Sequence, residues 1–352
     1  MMRSPMPPSP NPLSLLPLAP LLPLALLAGA GLALLAARPP RAVRREDVAG
    51  RVFVVTGASS GVGRAVAMRL GALGGHVVLA ARREAELEEV AAELRAAGGE
   101  ALVVATDVSD AGAVAALAEA AVARFGQVDA WINNAGIGAL GRFEDISVED
   151  HARTVDVNLK GVIFGSHAAL RLFRERGRGT LVNVGSVESR IPMPYHTTYA
   201  ATKHAILGLG RALRQEARLG GLRGVGVVTV MPWALDTPWW NVAGNHTGHS
   251  PRMILMDGPE ETAGAIVQAA VHPMGDVAVG WKAKAAVLGH QVVPGVVEHL
   301  AADVMHKVQQ ELAPPAGDRE GALHEPPAQD TGEQGGVRAK MRREDATGEA
   351  EA

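Results

Sequence analysis

The chain reads Arg51-Val-Phe-Val-Val55 and continues directly into Thr56-Gly-Ala-Ser-Ser-Gly-Val-Gly63. The first segment is a short β-branched run, as a buried parallel strand requires. The second is a glycine-rich turn, and a helical pattern follows it to about Leu73. Glycine lets backbone N–H groups approach a pyrophosphate closely, and the helix points its positive end at the same place. A strand, such a turn and a helix in this order predict a dinucleotide-binding unit.

Strand and helix patterns alternate through the middle of the chain. Further strands are predicted at 76–80, 101–105, 128–132, 180–184, 225–230 and 276–279. Helices are predicted at 84–97, 110–125, 148–176, 197–219, 260–271 and 283–311. This spacing implies right-handed crossovers and a parallel sheet covered on both faces. We therefore predict one α/β domain over residues 46–312, a doubly wound, three-layer sheet of the Rossmann type.

Two arginines, Arg82 and Arg83, follow the second predicted strand. Enzymes that use NAD commonly place a carboxylate near this point to bind the ribose 2′-hydroxyl, and none stands at this strand end. A planar guanidinium instead suits a 2′-phosphate. Two solvated arginines at a helix start are the alternative, but the pattern favours NADP(H) over NAD(H).

Tyr199 and Lys203 are four residues apart, on one face of a predicted helix. An ammonium beside a phenol lowers the phenol pKa from its reference value of about 10. Such a phenol exchanges a proton with a carbonyl or alcohol oxygen near neutral pH. Ser186 stands at the end of the fifth strand, the edge where α/β sheets bind ligands. An isolated Tyr-x-x-x-Lys pair is usually an ordinary surface pair; together with the serine and the glycine-rich turn it indicates a catalytic site.

Several motifs over about residues 50–237 resemble the short-chain dehydrogenase/reductase family, in its shorter single-domain branch. They are the turn at 56–63, Asp107-Val108, Asn133-Asn134-Ala135-Gly136, Asn158, and Ser186 with Tyr199 and Lys203. The resemblance implies hydride transfer between a nicotinamide and a carbonyl or alcohol carbon. It makes Asn158, Ser186, Tyr199 and Lys203 the catalytic residues, with Asn158 holding a water in the proton relay and Lys203 also binding the nicotinamide ribose.

The cofactor site follows from the same motifs together with the two arginines and the end of the sixth strand. Its predicted residues are Thr56, Gly57, Ser59, Ser60, Gly61, Val62, Gly63, Arg82, Arg83, Asp107, Val108, Asn134, Ala135, Gly136, Tyr199, Lys203, Pro232 and Thr237. One position departs from the family, because Trp233 stands where a glycine usually follows the proline. This indole is expected to reshape the nicotinamide end or the substrate entrance without removing a catalytic group. Tyr195 is interpreted as lining the substrate site. Trp239 and Trp240 either line an apolar pocket or only pack a loop onto the domain.

Both ends of the chain differ from this domain in composition. Residues 1–45 form a leader in which the stretch 13–37 is almost wholly apolar and about as long as a bilayer-spanning helix. A membrane anchor is favoured; a cleaved signal peptide ending near Ala28-Gly-Ala30 and a disordered leader are the alternatives. Four arginines follow the stretch and one precedes it, which places the domain in the cytoplasm if the anchor is real, whereas a signal peptide would export it. Residues 313–352 are polar and are predicted to be a disordered tail.

Composition excludes several other functions. The 352-residue chain has a net charge of −3 and no basic excess for nucleic-acid phosphates. It contains no cysteine, so thiolate nucleophiles and cysteine-ligated metals are excluded. Its histidines lack metal-ligand spacing, and no metal site is predicted.

The predicted protein is thus an NADP(H)-dependent oxidoreductase that acts on a small-molecule carbonyl or secondary alcohol, with a hydrophobic substrate suggested by the anchor and the tryptophans. A cofactor-binding regulatory or scaffold protein without turnover is the alternative of another class. The family resemblance also implies a homodimer or homotetramer through the helices that carry Asn158 and Tyr199.

Overall fold

The computed structural model describes residues 41–326 and 332–351. Its centre is a seven-stranded parallel sheet in the order β3-β2-β1-β4-β6-β7-β9. The strands of this sheet are β1 (Val52–Thr56), β2 (His76–Ala81), β3 (Glu100–Ala105), β4 (Ala130–Asn133), β6 (Arg178–Val184), β7 (Gly224–Met231) and β9 (Val277–Ala278). The order reverses beside β1, so the crevice at the carboxyl ends of β1 and β4 is the expected ligand site. The predicted doubly wound fold is confirmed.

Helices cover both faces of the sheet. They are α1 (Arg45–Val48), α2 (Gly61–Ala72), α3 (Glu84–Ala96), α4 (Ala111–Phe125), α5 (Val148–Val155), α6 (Gly161–Arg176), α7 (Thr197–Leu219), α8 (Trp239–Val242), α9 (Pro259–Val271), α10 (Gly280–Val292), α11 (Pro294–His306) and α12 (Val337–Glu351). A second, two-stranded parallel sheet pairs β5 (Ala139–Gly141) with β8 (Gly244–His246).

Two hydrophobic clusters hold these layers together, one on each side of the sheet. Along β1, Phe53 and Val55 point into one cluster, and Val52 and Val54 point into the other. All five residues of β1 are buried, which is why its sequence is apolar without alternation. This central strand fixes the position of the glycine-rich turn that follows it.

Two predicted helices are interrupted. The helix predicted over 148–176 is α5, a π-helical turn at Asp156–Lys160 and α6. The helix predicted over 283–311 is divided into α10 and α11, because Pro294 has no N–H to continue the hydrogen-bond ladder. A second π-helical turn, Lys307–Glu311, extends α11.

The polar C-terminal segment packs on the domain over its described residues, unlike the disordered tail predicted for 313–352. Leu323 and Val337 insert their side chains into the core and are 1% and 2% exposed. The buried guanidinium of Arg252 donates to the Leu312 carbonyl and to the Asp345 carboxylate, at 2.9 and 2.6 Å. A few apolar insertions and charge-assisted hydrogen bonds therefore hold a segment whose mean composition is polar.

The predicted N-terminal membrane anchor cannot be compared with the structure. The apolar stretch 13–37 lies outside the described residues, and within 41–326 and 332–351 no helix has the length and apolar character needed to cross a bilayer.

Candidate active site

A cavity of about 290 Å³ opens at the carboxyl edge of the sheet. Ser186 follows β6, and Tyr199 and Lys203 project from the first two turns of α7. All three side chains line this cavity. The predicted constellation is therefore brought together from two separate elements.

The three polar groups form a connected set. The Ser186 hydroxyl interacts with the Tyr199 phenol, and its Oγ accepts the backbone N–H of Glu188 at 3.1 Å. Lys203 Nζ lies 5.3 Å from the centre of the Tyr199 ring. The same ammonium donates to the Val184 carbonyl at 2.8 Å, which holds it between β6 and the phenol.

Burial sets the acid–base character of this pair. It raises the pKa of the Tyr199 phenol, so the lowering predicted from the neighbouring Lys203 is wrong; the negative charge of Glu188 acts in the same direction as burial, while the hydrogen bond from Ser186 opposes both. Burial also lowers the pKa of Lys203 to about 8, against the attraction of Glu188. Lys203 therefore changes charge close to neutral pH, which suits a group that resupplies protons.

Asn158 occupies the middle of the π-helical turn and is fully buried. Its side chain accepts the Ile137 N–H and donates to the Ile137 carbonyl, both at 2.8 Å. It also donates to Thr202 Oγ1 on α7 at 3.3 Å. The side chain thus ties the segment after β4 to the helix that carries Tyr199. Single π turns inside α-helices are frequent at functional sites.

The glycine-rich turn packs closely on itself and on the end of β4 only because it lacks side chains. Gly57 has φ +68°, and a Cβ there would lie 2.9 Å from the Ala135 Cα. A Cβ on Gly63 would lie 2.1 Å from the Gly57 carbonyl oxygen. Thr56 Oγ1 accepts the backbone N–H groups of Asn134 and Ala135 at 3.0 and 3.2 Å, which fixes the turn against the end of β4. This cradle fits a pyrophosphate at the start of α2.

Most predicted cofactor residues line the same cavity. The lining residues among them are Gly57, Ser59, Ser60, Gly61, Val62, Arg82, Arg83, Asp107, Val108, Asn134, Ala135, Gly136, Tyr199, Lys203, Pro232 and Thr237. Thr56, Gly63 and Asn158 are buried and do not line the cavity. They shape its wall from behind.

The C-terminal segment crosses the far end of the cavity. We call residues 319–326 and 332–338 the C-terminal strap. Arg82 donates to the backbone carbonyls of Ala322, Leu323 and His324 at 3.0, 3.4 and 2.7 Å. On the other side of the glycine-rich turn, the Gly61 N–H donates to the Gly332 carbonyl at 2.9 Å. The strap therefore occupies hydrogen-bonding groups that the sequence assigns to a cofactor.

Arg83 and Asp107 lie at the same end of the cavity. Arg83 donates to Ser59 Oγ of the turn at 3.1 Å. Burial acts to raise the pKa of Asp107, but hydrogen bonds from Arg153 and Ser109 outweigh it and hold that pKa below its usual value. The Asp107 carboxylate is thus ionised and fixed by Arg153 at 2.7 Å.

Comparisons with known proteins agree with this geometry. Residues 51–247 match the family model described as short chain dehydrogenase. An uncharacterized oxidoreductase of Bacillus subtilis, YxnA, is 34% identical over 286 residues, which is 80% of each chain. The chain belongs to the short chain dehydrogenase family.

Solved structures of the family superpose on this short chain dehydrogenase. A 3-ketoacyl-(acyl-carrier-protein) reductase from Brucella melitensis, solved with NADH, matches with a TM-score of 0.58 and 29% identity, over 67% of this chain and 99% of its own. An alcohol dehydrogenase from the archaeon Thermococcus sibiricus, solved with 5-hydroxy-NADP, matches with a TM-score of 0.58 and 30% identity, over 65% of this chain and 95% of its own. Relatives of this fold thus include proteins solved with either nicotinamide dinucleotide.

In this short chain dehydrogenase, the aromatic residues divide into two groups. Trp233, Trp239 and Trp240 line the cavity, and Trp239 lies with its ring centre 5.3 Å from that of Tyr199. Tyr195, interpreted from the sequence as a substrate-lining residue, is not among the lining residues; its hydroxyl bonds His306 Nδ1 at 2.6 Å.

Sequence reasoning missed Glu188 and passed over His196. Both are buried, both line the cavity, and they bond each other at 3.0 Å. The available signal was position, since Glu188 stands two residues after the strand-end serine and His196 three residues before the tyrosine.

Proposed function

We propose that this short chain dehydrogenase interconverts a carbonyl compound and its alcohol with a nicotinamide dinucleotide held in the cavity. The observation that carries the proposal is the convergence of Ser186, Tyr199 and Lys203 on one cavity at the carboxyl edge of the sheet, where the buried Ser186 and Lys203 flank the half-buried Tyr199. A nicotinamide supplies or accepts the hydride when bound. The residues of the chain manage the substrate oxygen and its proton.

During reduction, Ser186 holds the substrate oxygen and Tyr199 gives it a proton. The phenol is a suitable donor because burial keeps it protonated. Lys203 lies against the phenol ring and stabilises the phenolate that forms. The segment fixed by Asn158 positions α7, and we retain the assignment of Asn158 to the water that reconnects Lys203 with solvent. During oxidation the same groups take the proton away.

A preference for NADP(H) is supported by the charge at the end of β2. Arg82 and Arg83 both line the cavity there, and Arg83 lies beside the glycine-rich turn. A guanidinium matches a phosphate in charge and in hydrogen-bonding geometry. Arg82 also bonds the C-terminal strap, and Arg83 bonds Ser59 of the glycine-rich turn and pairs with Glu86 at 3.8 Å, so both arginines are proposed to contribute to the recognition.

A hydrophobic substrate is supported by the walls of the cavity. Met253 and Met305 line it together with three tryptophans. Methionine provides apolar surface that adapts to the shape of a ligand, and tryptophan adds a large apolar ring.

A role for the apolar N-terminal stretch is also proposed. We propose that residues 13–37 anchor the protein in a membrane with the domain in the cytoplasm; the arginines that follow the stretch support this orientation. Fractionation of cells expressing the full chain tests it. Recovery in the membrane pellet that is lost on deleting 13–37 is expected, and a secreted, shortened protein would indicate the signal peptide instead. Association through α5 to α7 is proposed too, and the mass in solution tests it.

The enzymatic proposal is tested by following NADPH and NADH at 340 nm with a panel of hydrophobic ketones and aldehydes. Tyr199→Phe removes only the phenolic hydroxyl and should lower kcat by roughly 100- to 10,000-fold, the range of general acid catalysis, while cofactor binding persists. Neither of the two tyrosines is exposed, so no Tyr→Phe control is possible at the surface. Phe143→Leu, at a 56%-exposed position, serves as the aromatic control instead. A folded protein that binds the cofactor without turnover would support the regulatory or scaffold alternative.

A further inference from the structure

A buried carboxylate faces the cavity beside the reacting groups. Glu188 follows Ser186 by two residues and is 8% exposed. Its Oε1 accepts a hydrogen bond from His196 Nδ1 at 3.0 Å. Its Oε2 is also buried, and no hydrogen-bond partner for it exists among the described residues. Glu188 lines the cavity that contains Tyr199.

His196 is fully engaged in positioning this carboxylate. The carboxylate only accepts, so the shared proton lies on Nδ1. His196 Nε2 then accepts from the Gln309 amide at 3.2 Å. The ring is 2% exposed, so both nitrogens are satisfied inside the protein. His196 therefore orients Glu188 and leaves Oε2 directed to other partners.

A buried carboxylate oxygen without a donor is costly, because burial removes its water and nothing replaces the lost hydrogen bonds. The missing donor must come from what enters the cavity. An ammonium group is disfavoured because the Lys203 cation already interacts with Glu188 and would repel a second one. A neutral hydroxyl supplies a donor without this repulsion.

We infer that Glu188, held by His196, recognises a second hydroxyl group on the substrate, separate from the oxygen that reacts at Ser186 and Tyr199. The substrate class is then a hydroxyketone or diol with an otherwise apolar body, since the remaining walls are tryptophan and methionine. This inference rests on the proposed carbonyl–alcohol chemistry and names its substrate. The second hydroxyl is bound and undergoes no reaction.

Matched alcohols test the inference on the full-length enzyme with NADP⁺ and NAD⁺. 1-Phenyl-1,2-ethanediol is compared with 1-phenyl-1-propanol, which has a methyl group in place of the second hydroxyl, and with 2-methoxy-1-phenylethanol, which keeps an acceptor oxygen but has no donor. Diols with the second hydroxyl one and two carbons further away are run with their own deoxy counterparts. The diol of the fitting spacing should exceed its deoxy counterpart in kcat/KM by roughly 10- to 100-fold, the range of a hydrogen bond to a charged group.

Substitution of Glu188 separates recognition from folding. Glu188→Gln keeps the shape of the side chain and can still accept from His196, but it turns an amide N–H toward the cavity. The ratio of kcat/KM for diol to methyl ether should fall at least tenfold, because the amide donates to the ether oxygen that the carboxylate repels. Glu188→Leu should abolish the preference for diol over deoxy alcohol. Glu216→Gln makes the same charge change at an exposed position near the other end of α7 and should leave both ratios unaltered.

The outcomes distinguish this inference from the proposed function. If no alcohol or carbonyl compound turns over in the wild-type enzyme, the proposed function fails. If simple alcohols turn over but no diol is preferred at any spacing, the inference is overturned while the function stands. Equal loss of all substrates in Glu188→Gln, with an unchanged diol-to-ether ratio, would also overturn it, since that result indicates a merely structural carboxylate.

Discussion

The packing of the C-terminal strap against the domain leads to a prediction about cofactor affinity. At Gly335 an added Cβ would lie 2.2 Å from the Thr237 carbonyl oxygen and 2.4 Å from the Thr237 carbonyl carbon. Both are backbone atoms that cannot rotate away, so Gly335→Ala should lift the strap from the domain. The replacement changes no residue of the proposed cofactor site, and its direct contact with that site is the Thr237 backbone.

The expected magnitude follows from the hydrogen bond that the strap makes to the turn. The Gly61 N–H, proposed to face the pyrophosphate, is taken by the Gly332 carbonyl at 2.9 Å. Breaking this neutral bond before binding costs about 0.5–1.5 kcal/mol. Releasing the strap should therefore tighten cofactor binding by roughly 2- to 13-fold. Freeing Arg82 from the strap adds to this gain for NADP(H) more than for NAD(H).

Isothermal titration of NADP⁺ and NAD⁺ into wild-type protein, Gly335→Ala and Gly317→Ala measures the effect. Gly317 lies in the same segment, but an added Cβ there meets nothing within 4 Å, so this variant is the matched control. Gly335→Ala should also melt at a lower temperature, because the bonds from Gly335 N–H to Asp236 and from Asn241 to the Gly335 carbonyl are lost. Weaker cofactor binding in a variant whose strap is cleaved by protease would refute the reasoning and show that strap and cofactor bind together.

Three further predictions concern Lys203, Trp233 at the proposed substrate entrance, and Arg83 as the proposed ligand of the 2′-phosphate. The Lys203 pKa near 8 means that its ammonium is present below that pH and lost above it, so carbonyl reduction should slow as pH rises through about 8; a flat rate between pH 6 and 10 would contradict this role. Trp233→Gly restores the residue usual in the family and should lower KM for bulky ketones more than for small ones, measured across a ketone size series; equal changes for all sizes would exclude the indole as a size filter. Arg83→Ala should reduce the ratio of kcat/KM with NADPH to that with NADH by about tenfold or more, the loss of a charge-assisted hydrogen bond, whereas an unchanged ratio would assign phosphate recognition elsewhere.

The fold was accessible from sequence because local pattern and global architecture agree. β1 is apolar at every position because it is buried on both faces. Helix α7 spans Thr197–Leu219, as its sequence predicts. The convergence of the candidate residues Ser186, Tyr199 and Lys203 on one cavity followed as well, since a parallel sheet collects the carboxyl ends of its strands at one edge.

The C-terminal strap was not accessible in the same way. Disorder was predicted from mean composition, which measures whether a segment can form a core of its own. The strap instead borrows the core of the domain through single residues such as Leu323 and Val337. It also satisfies a buried acceptor, because Asp236 receives the Val337 N–H at 2.7 Å and Arg338 Nε at 2.9 Å. These packing and hydrogen-bond partners are determined by the tertiary structure and cannot be predicted from composition.

The contact between Glu188 and His196 could not be predicted from the sequence. The two residues are eight apart across a loop, a spacing that fits no helix or strand period. The loop brings them together at Tyr195, a non-glycine residue held at φ +64°, which is an uncommon conformation with a cost. Its hydroxyl bonds His306, and its carbonyl accepts the Gly141 N–H at 3.0 Å. These two contacts hold the turn that places His196 at the start of α7. Tyr195, first interpreted as a substrate-lining residue, therefore contributes through its backbone conformation.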